Sequence, residues 1–371
     1  MLVREAQLRI EELFGKGKAI IVLGPRQVGK TTLIHNILKN KNPLLLNADD
    51  PTIREILTNI NTEELRDLIG KHKFVFIDEA QLIKNIGLTL KLITDQFKAV
   101  QLIVTGSSAL ELGNMLNEPL TGRKREFKLY PISWKEWEDE VGYLAAKQQL
   151  KTRLIYGFYP EVLNEKGEEQ EALNELVSSY LFKDILALSG IRKPHILDKL
   201  VRALALQLGA EVSYNELSQL IGVDKNTISN YMDLLEQAFV IFRLGSFSRN
   251  LGNEIKTNQK IYFYDNGIRN AIIGNFNPVD LRNDVGALWE NFLIAERLKR
   301  VHYNRRKQAN YFWRTKQQQE IDWVEDYDGE IKGYEFKWNP QAKNKIPKSF
   351  EESYQTKVEI IHRENFREFI L

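Results

Sequence analysis

The sequence predicts an α/β fold that opens with a mostly parallel sheet, and three observations carry that prediction. Short apolar runs of strand length alternate with helical runs between Ala19 and Tyr130. In "KAIIVLGPRQVGKTTLIHNIL" a glycine-rich turn joins the first of these runs to a helix. A later run, "KFVFIDEAQ", ends in two acidic residues. Alternating strands and helices imply a sheet covered on both faces. Ligands then belong at the carboxyl ends of the strands, which is where the glycines and the acidic pair fall.

Composition bounds what else the chain can be. Its 371 residues suggest several domains, and 43% hydrophobic with 27% charged residues is ordinary globular material. A net charge of +2 gives no global polyelectrolyte character, so any nucleic-acid contact must be local. The absence of cysteine excludes disulfides, thiolate zinc sites, iron–sulfur clusters and cysteine nucleophiles. His35, His72, His195, His302 and His362 are scattered without metal-ligand spacing. The start, "MLVREAQLRIEELFGKG", is charged and amphipathic rather than a signal peptide, and no apolar run reaches membrane-spanning length. The expectation is a soluble, cytoplasmic protein that does not enter the membrane.

The strand Ala19 to Leu23 leads into Gly24-x-x-x-x-Gly29-Lys30-Thr31, a Walker A pattern in its strand–loop–helix context. Gly24, Pro25, Arg26, Gln27, Val28, Gly29, Lys30, Thr31 and Thr32 would wrap the phosphates of ATP or GTP, using backbone N–H groups and the helix N-terminus. Lys30 would reach the β- and γ-phosphates, and the Thr31 hydroxyl would hold Mg²⁺. The strand Phe74 to Ile77 ends in Asp78-Glu79, a Walker B pattern that places Asp78 on Mg²⁺ and Glu79 on the attacking water. "NPLLLNADD" supplies another strand, ending in Asp49 and Asp50. "LIVTGSS" ends in Thr105, Ser107 and Ser108, where a γ-phosphate sensor would sit or where a plain turn would do. "REFKLYPIS" is the last strand. Arg123 or Arg125 just before it would stabilise charge on the transferring phosphoryl group, in cis or from a neighbouring subunit of an oligomer; an exposed basic loop is the alternative.

From Ser133 to about Leu208 the pattern is helical, and we expect a helical lid. "VSYNELSQLIGVDKNTISNYMDLLEQAFVIFRL" has helix-turn-helix spacing with Gly222 at the turn, then a strand, which suggests a winged helix. Lys225, Asn226, Ser229, Asn230 and Asp233 face outward on its second helix. With a single cation among them, packing against another domain competes with DNA binding. The predicted domains are thus 1–132, 133–208, 209–246 and 247–371.

In the last of these, "DVGALWENFLIAERLKR" reads as a buried helix interrupted by Glu290, a carboxylate that needs a partner. The segment after it carries Arg297, Lys299, Arg300, Arg305, Arg306, Lys307, Arg314 and Lys316 interleaved with Tyr303, Tyr311, Phe312 and Trp313. This basic patch is the candidate contact for nucleic acid, with a protein partner as the other reading. In "QEIDWVEDYDGEIKGYEFKW", Asp328-Gly329 predicts a two-residue hairpin. Its register sets Asp322 opposite Glu335 and Glu320 opposite Lys337. Ile321, Trp323, Tyr334 and Phe336 then share the other face. Facing carboxylates repel. A shared Mg²⁺ on Asp322 and Glu335, completed by Glu290 with Lys337 orienting a water, would relieve the conflict and suit phosphodiester hydrolysis. Alternatively, Lys337 neutralises Glu320 and Glu335, leaving Asp322 to Arg314.

Taken together, "GPRQVGKTTL", "FIDEAQ", "VTGSSALEL", "LTGRKREFKLYPISWKEW", "GFYPEVL", "SSYLFKDIL", "YFYDNGIRNAIIG", "GALWENFLIAERL" and "FWRTKQQQEIDWV…YEFKW" resemble a family over nearly the whole chain. It is that of archaeal and bacterial AAA-type ATPases whose C-terminal domain of unknown function has a PD-(D/E)xK nuclease-like fold. The resemblance implies a P-loop NTPase domain of AAA type with a helical lid, a winged helix-turn-helix and a C-terminal nuclease-like α/β domain. It implies ATP and Mg²⁺ as cofactors. Lys30, Thr31, Asp78 and Glu79 match the ATPase positions, and Glu290, Asp322, Glu335 and Lys337 match the nuclease-fold signature. Lys183 stands in "FKD" where an arginine is expected.

Overall fold

The computed structural model describes residues 2–106, 120–178, 194–248, 259–342 and 346–371. The chain divides into two compact units, Met1–Ile132 with Gln237–Phe239, and Ser133–Glu236 with Val240–Leu371. Among the described residues no helix is long and apolar enough to cross a membrane.

The first unit is built on five parallel strands. These are β1 (Ala19–Leu23), β2 (Leu44–Asn47), β3 (Phe74–Asp78), β4 (Gln101–Gly106) and β5 (Lys124–Lys128), in the order β2-β3-β4-β1-β5. Every residue of β1 and of β4 is buried, as expected of central strands covered on both faces. Because β4 lies between β1 and β3, the end of β4 stands beside the acidic end of β3. Local signals set the helix starts. After α1 (Glu5–Glu11), α2 (Lys30–Leu38) begins where Gly29 takes φ 87°. Asp50 caps α3 (Pro51–Leu57), with proline in the first turn. Asn61 and Glu64 form a capping box on α4 (Thr62–Ile69), and α5 (Ile86–Gln96) completes the layer.

In the second unit the helical stretch contains α6 (Trp134–Val141), α7 (Tyr143–Tyr156), α8 (Pro160–Asn164), α9 (Glu169–Val177) and α10 (Pro194–Leu206). A small antiparallel sheet follows, in the order β6-β8-β7, from β6 (Glu211–Val212), β7 (Ile241–Gly245) and β8 (Gln259–Phe263). Between β6 and β7 run α11 (Tyr214–Ile221) and α12 (Lys225–Gln237), with Gly222 at φ 80° ending α11. Its third strand, β8, thus comes after residue 246.

Next come α13 (Asn266–Ile273), α14 (Val285–Tyr303), β9 (Ala309–Arg314), β10 (Glu320–Tyr327), β11 (Glu330–Phe336), α15 (Lys348–Tyr354), β12 (Val358–Ile361) and α16 (Phe366–Ile370). The four strands order as β12-β11-β10-β9, with β12 parallel to β11. Asp328 and Gly329 both have positive φ, 50° and 87°, as a type I′ turn demands. Trp323 pairs with Tyr334, the register that sets Asp322 against Glu335.

One expectation fails here. The pairing of β10 with β9 shifts between Ile321 and Val324, so the strict alternation of side chains breaks. Ile321 joins Val324, Ile331, Phe350 and Val358 in one core cluster instead of sharing a face with Trp323. Trp323 donates its indole N–H to Glu325, which is bonded to Arg297 of α14. Both faces of this sheet are therefore packed, and Asp322 is buried rather than on an open polar face.

The helical stretch and the small sheet are joined by buried polar groups. Asp265, at the start of α13, accepts from the N–H of Phe158 at 2.7 Å, and a Cβ on Gly157 would strike its carboxylate. Asn270 donates to Ile155 O at 2.8 Å, and Asn266 donates to Leu154 O and Leu288 O.

Candidate functional site

Leaving β1, the chain turns at Gly24. A Cβ there would collide with the carbonyl oxygen of Leu129 just beyond β5, and Leu129 N–H donates to Leu23 O at 2.7 Å. Only glycine permits that approach. Gln27 and Gly29, at φ 60° and 87°, curl the loop back so that its N–H groups lead into α2. Arg4 is buried and clamps the loop, donating to Val28 O at 2.8 Å and to Tyr130 O at 2.7 Å. Inside the hollow, Lys30 Nζ donates to Gly24 O at 3.0 Å and Pro25 O at 2.8 Å.

Thr31, in the first turn of α2, donates its hydroxyl to Asp78 Oδ2 at 2.8 Å. The other Asp78 oxygen accepts from the Thr105 hydroxyl and from Glu79 N–H. Glu79 sits at φ 49°, an uncommon conformation for a residue with a side chain, and its carboxylate accepts from the Gln81 amide. Backbone strain of this sort concentrates at functional positions. A hydroxyl and a carboxylate held together at a helix N-terminus are hard oxygen donors suited to Mg²⁺, which takes one or two protein oxygens and keeps waters and phosphate oxygens for the rest. The residues fit that ion.

A second cluster lies in the second unit, and its centre is a residue that sequence reasoning missed. Lys260 of β8 is 2% exposed; it donates to Glu290 Oε1 at 3.1 Å and to Glu320, and lies 5.5 Å from the ring centre of Phe312. Tyr262 donates its hydroxyl to the same Glu290 oxygen at 2.5 Å. Glu290 is thus partnered, as its place on a packed helix demands. Arg314 reaches Glu211 at 3.1 Å and Glu320 at 3.5 Å. Lys337 pairs with its near neighbour Glu335 at 2.6 Å, not across the hairpin with Glu320, and Asp322 accepts from Phe336 N–H at 2.8 Å rather than from Arg314.

The electrostatics follow from burial. Burial would pull the Lys260 ammonium down, but Glu290, Asp322 and Glu320 outweigh it and hold the group above its usual range. Burial first, then Glu290 and Glu335, push Asp322 well above the ordinary carboxylate value, toward its neutral form. Burial also raises Glu335, against the opposing pull of Lys337.

The expected metal ligands meet cations of the chain itself. Among the described residues no group of three or more His, Asp or Glu side chains stands where it could hold a metal ion. Lys260 sits among the carboxylates, and Lys337 takes one oxygen of Glu335.

The predicted basic patch also divides. Arg297 is buried against Glu325 at 2.6 and 2.8 Å, Lys299 is buried against Glu296 at 2.6 Å, and Arg300 donates to the carbonyls of Glu368 and Phe369. Tyr303, Phe312 and Trp313 are core residues, not stacking platforms. Lys316 and the run Arg305, Arg306, Lys307 remain exposed, and the run lines a cavity of about 540 Å³ together with Lys332 and the acidic Glu325, Asp328 and Glu330.

Residues 16–138 match a family model described as an AAA domain. With its parallel sheet and its loop between β1 and α2, the first unit has the fold of a P-loop ATPase domain. Residues 147–279 and 285–368 match two models described as domains of unknown function, DUF8612 and DUF4143. The chain is 26% identical over 339 residues to an uncharacterised protein of Mycobacterium tuberculosis, covering 90% of this chain and 73% of that one. An uncharacterised protein of Methanocaldococcus jannaschii is 23% identical over 335 residues, covering 83% and 72%. Among solved structures, the Walker-type ATPase of Pyrococcus abyssi aligns with a TM-score of 0.51 at 17% identity, covering 73% of this chain and 96% of that one.

Within the first unit the predicted residues do not all converge. Lys30, Thr31, Asp78, Glu79 and Thr105 come together at the carboxyl ends of β1, β3 and β4. Arg123 does not reach them in cis. Its carbonyl accepts from Ala19 N–H at the opposite end of β1, and its guanidinium pairs with Asp95 at 2.7 Å. Arg125, opposite Ile20, lies in the same half of the sheet. Ser107, Ser108 and Lys183 lie outside the described residues. Arg4 and Gln81 were not foreseen: Arg4 lies outside every motif, Gln81 closes "FIDEAQ" without a role read for it, and each acts through a contact that only the fold creates.

Proposed function

We propose that this chain binds ATP with Mg²⁺ and hydrolyses it at the loop between β1 and α2. The observation that carries the proposal is the Thr31–Asp78 contact beside Lys30 in the hollow of the loop. On binding, Lys30 exchanges its two carbonyl partners for phosphate oxygens, while the loop N–H groups and the start of α2 receive the rest of the chain of phosphates. Thr31 and Asp78 would hold Mg²⁺, which would supply charge neutralisation to the phosphates. Glu79 accepts the proton of the attacking water, and Gln81 fixes the orientation of its carboxylate. Thr105 steadies Asp78 from β4. The test is calorimetric titration with ATP and Mg²⁺ together with phosphate release. Binding lost in Lys30→Ala is the expected result, and wild-type protein that neither binds nor turns over ATP overturns the reading.

For the second unit we propose a contact module, with nucleic acid as the partner, rather than a nuclease. The order β6-β8-β7 with α10, α11 and α12 supports a winged helix, whose exposed Lys225, Asn226 and Asn230 face outward. The exposed run Arg305–Lys307 supports a phosphate-bearing partner. Full-length protein in which all three are alanine should show a slope of log K against log salt shallower by roughly three. Wild type that fails to bind DNA or RNA at low salt points instead to a protein partner.

A further inference from the structure

We infer that the carboxylate cluster of the second unit is closed by Lys260, so that the cation neutralising Glu290 and Glu320 is the chain's own ammonium and no divalent metal binds there. The resemblance to PD-(D/E)xK proteins implies a metal at Glu290, Asp322 and Glu335, and the side chains present disagree with that implication.

Three observations carry the inference. First, Lys260 is not a loose surface lysine. Its Cα is fixed by pairing on both sides of β8, with Glu211 of β6 and Leu244 of β7, and its ammonium lies over the Phe312 ring. It contacts both Glu290 and Glu320, and a divalent ion at that point would meet an ammonium inside a buried pocket. Second, one oxygen of Glu290 already has two partners. Tyr262 and Lys260 both use Oε1, which fixes the carboxylate toward the small sheet. Third, Asp322 spends one oxygen on the Phe336 N–H and Glu335 spends one on Lys337. The remaining Glu335 Oε2 is buried without a hydrogen-bond partner. A divalent ion there would have to displace Lys260 and Lys337 from carboxylates they already neutralise.

The arrangement has a clear chemical logic. Four carboxylates brought together in a packed domain repel one another, and either an outside cation or an inside one must relieve them. Here β8 delivers the inside one. Its position on the small sheet means that the closure depends on that sheet being docked on α14 and β10. Lys260 thereby joins two elements that the sequence places 30 residues or more from each other.

Mn²⁺ binding is the test, followed by electron paramagnetic resonance on nucleotide-free full-length protein, comparing wild type with Asp322→Asn. Both should bind Mn²⁺ identically, because no site of the second unit contributes. A Mn²⁺ site present in wild type and lost in Asp322→Asn overturns the inference. The second arm uses Lys260→Met, which keeps most of the apolar stem and removes the charge. Its thermal midpoint should fall below that of wild type and should rise on adding Mn²⁺, while wild type does not respond. A Lys260→Met midpoint equal to wild type, or indifferent to Mn²⁺, also counts against the inference. If that variant does not fold, the wild-type comparison still decides. Neither result touches the ATPase proposal, whose residues lie in the other unit.

Discussion

Thr31 Oγ1 stands 2.8 Å from Asp78 Oδ2, joining the start of α2 to the end of β3. Both oxygens are expected ligands of one ion, so their variants should fail in the same way. Thr31→Ala and Asp78→Asn should each lose the Mg²⁺ dependence of nucleotide affinity. A combination of the two should be no worse than the weaker single variant, because groups serving one ion are not additive. Titration of ATP with and without Mg²⁺ reads this directly. Losses that add would mean the two side chains serve different ends.

Glu79→Gln separates binding from chemistry. Turnover should fall by roughly 10²–10⁴-fold, the usual contribution of a positioned acid or base, with nucleotide affinity kept. Phosphate release at saturating ATP is the readout, and unchanged turnover would remove Glu79 from the role of base.

Gly24→Ala should damage the first unit even without ligand. The added methyl would press on the Leu129 carbonyl, and overpacking of this sort costs about 1–3 kcal/mol. Urea unfolding of the apoprotein should show the loss. Stability equal to wild type would mean that β5 yields freely.

Asp322→Asn tests the buried carboxylate through pH. Burial, then Glu290 and Glu335, raise the folded-state pKa of Asp322. A raised pKa contributes stability below the unfolded value, about 4, and that contribution is lost as pH rises toward the folded value. Asparagine does not titrate and still accepts from Phe336 N–H. The variant should therefore gain on wild type as pH climbs from about 4 to neutrality. Parallel curves of stability against pH would contradict this.

Arg297 and Glu325 form a buried pair that also engages Phe369 O and the Trp323 indole. Arg297→Ala leaves a buried carboxylate uncompensated and should cost about 3–5 kcal/mol. Adding Glu325→Gln should restore a large part of it. A double-mutant cycle that shows no coupling would deny the pairing any energetic role.

How far the sequence could be read depends on the range of the physics involved. The Walker loop, the Asp78-Glu79 strand end and the Asp328-Gly329 turn are local patterns with backbone requirements of their own, and each lies where the periodicity puts it. The bulge at Ile321 was invisible because alternation gives no warning of an inserted residue. Lys260 was overlooked for a different reason. It interrupts the apolar run "KIYFYD", and a lysine at an inward strand position needs a carboxylate just as Glu290 needed a cation. Reading the two needs together would have paired them. Arg123 shows the converse error: it precedes β5, and because β5 runs parallel to β1 its place is at the amino ends of the strands, a full strand away from the site.

Asp265, Asn266 and Asn270 carry one more consequence, this time for anyone who would dissect the molecule. A fragment starting near Glu211 keeps this acid and both amides but loses Phe158, Leu154 and Ile155, whose main-chain groups they grip. Each orphaned group left in the interior costs about 1–3 kcal/mol. Scissors placed there would sever a mortise from its tenon, and the severed piece would misreport whatever surface it was made to display.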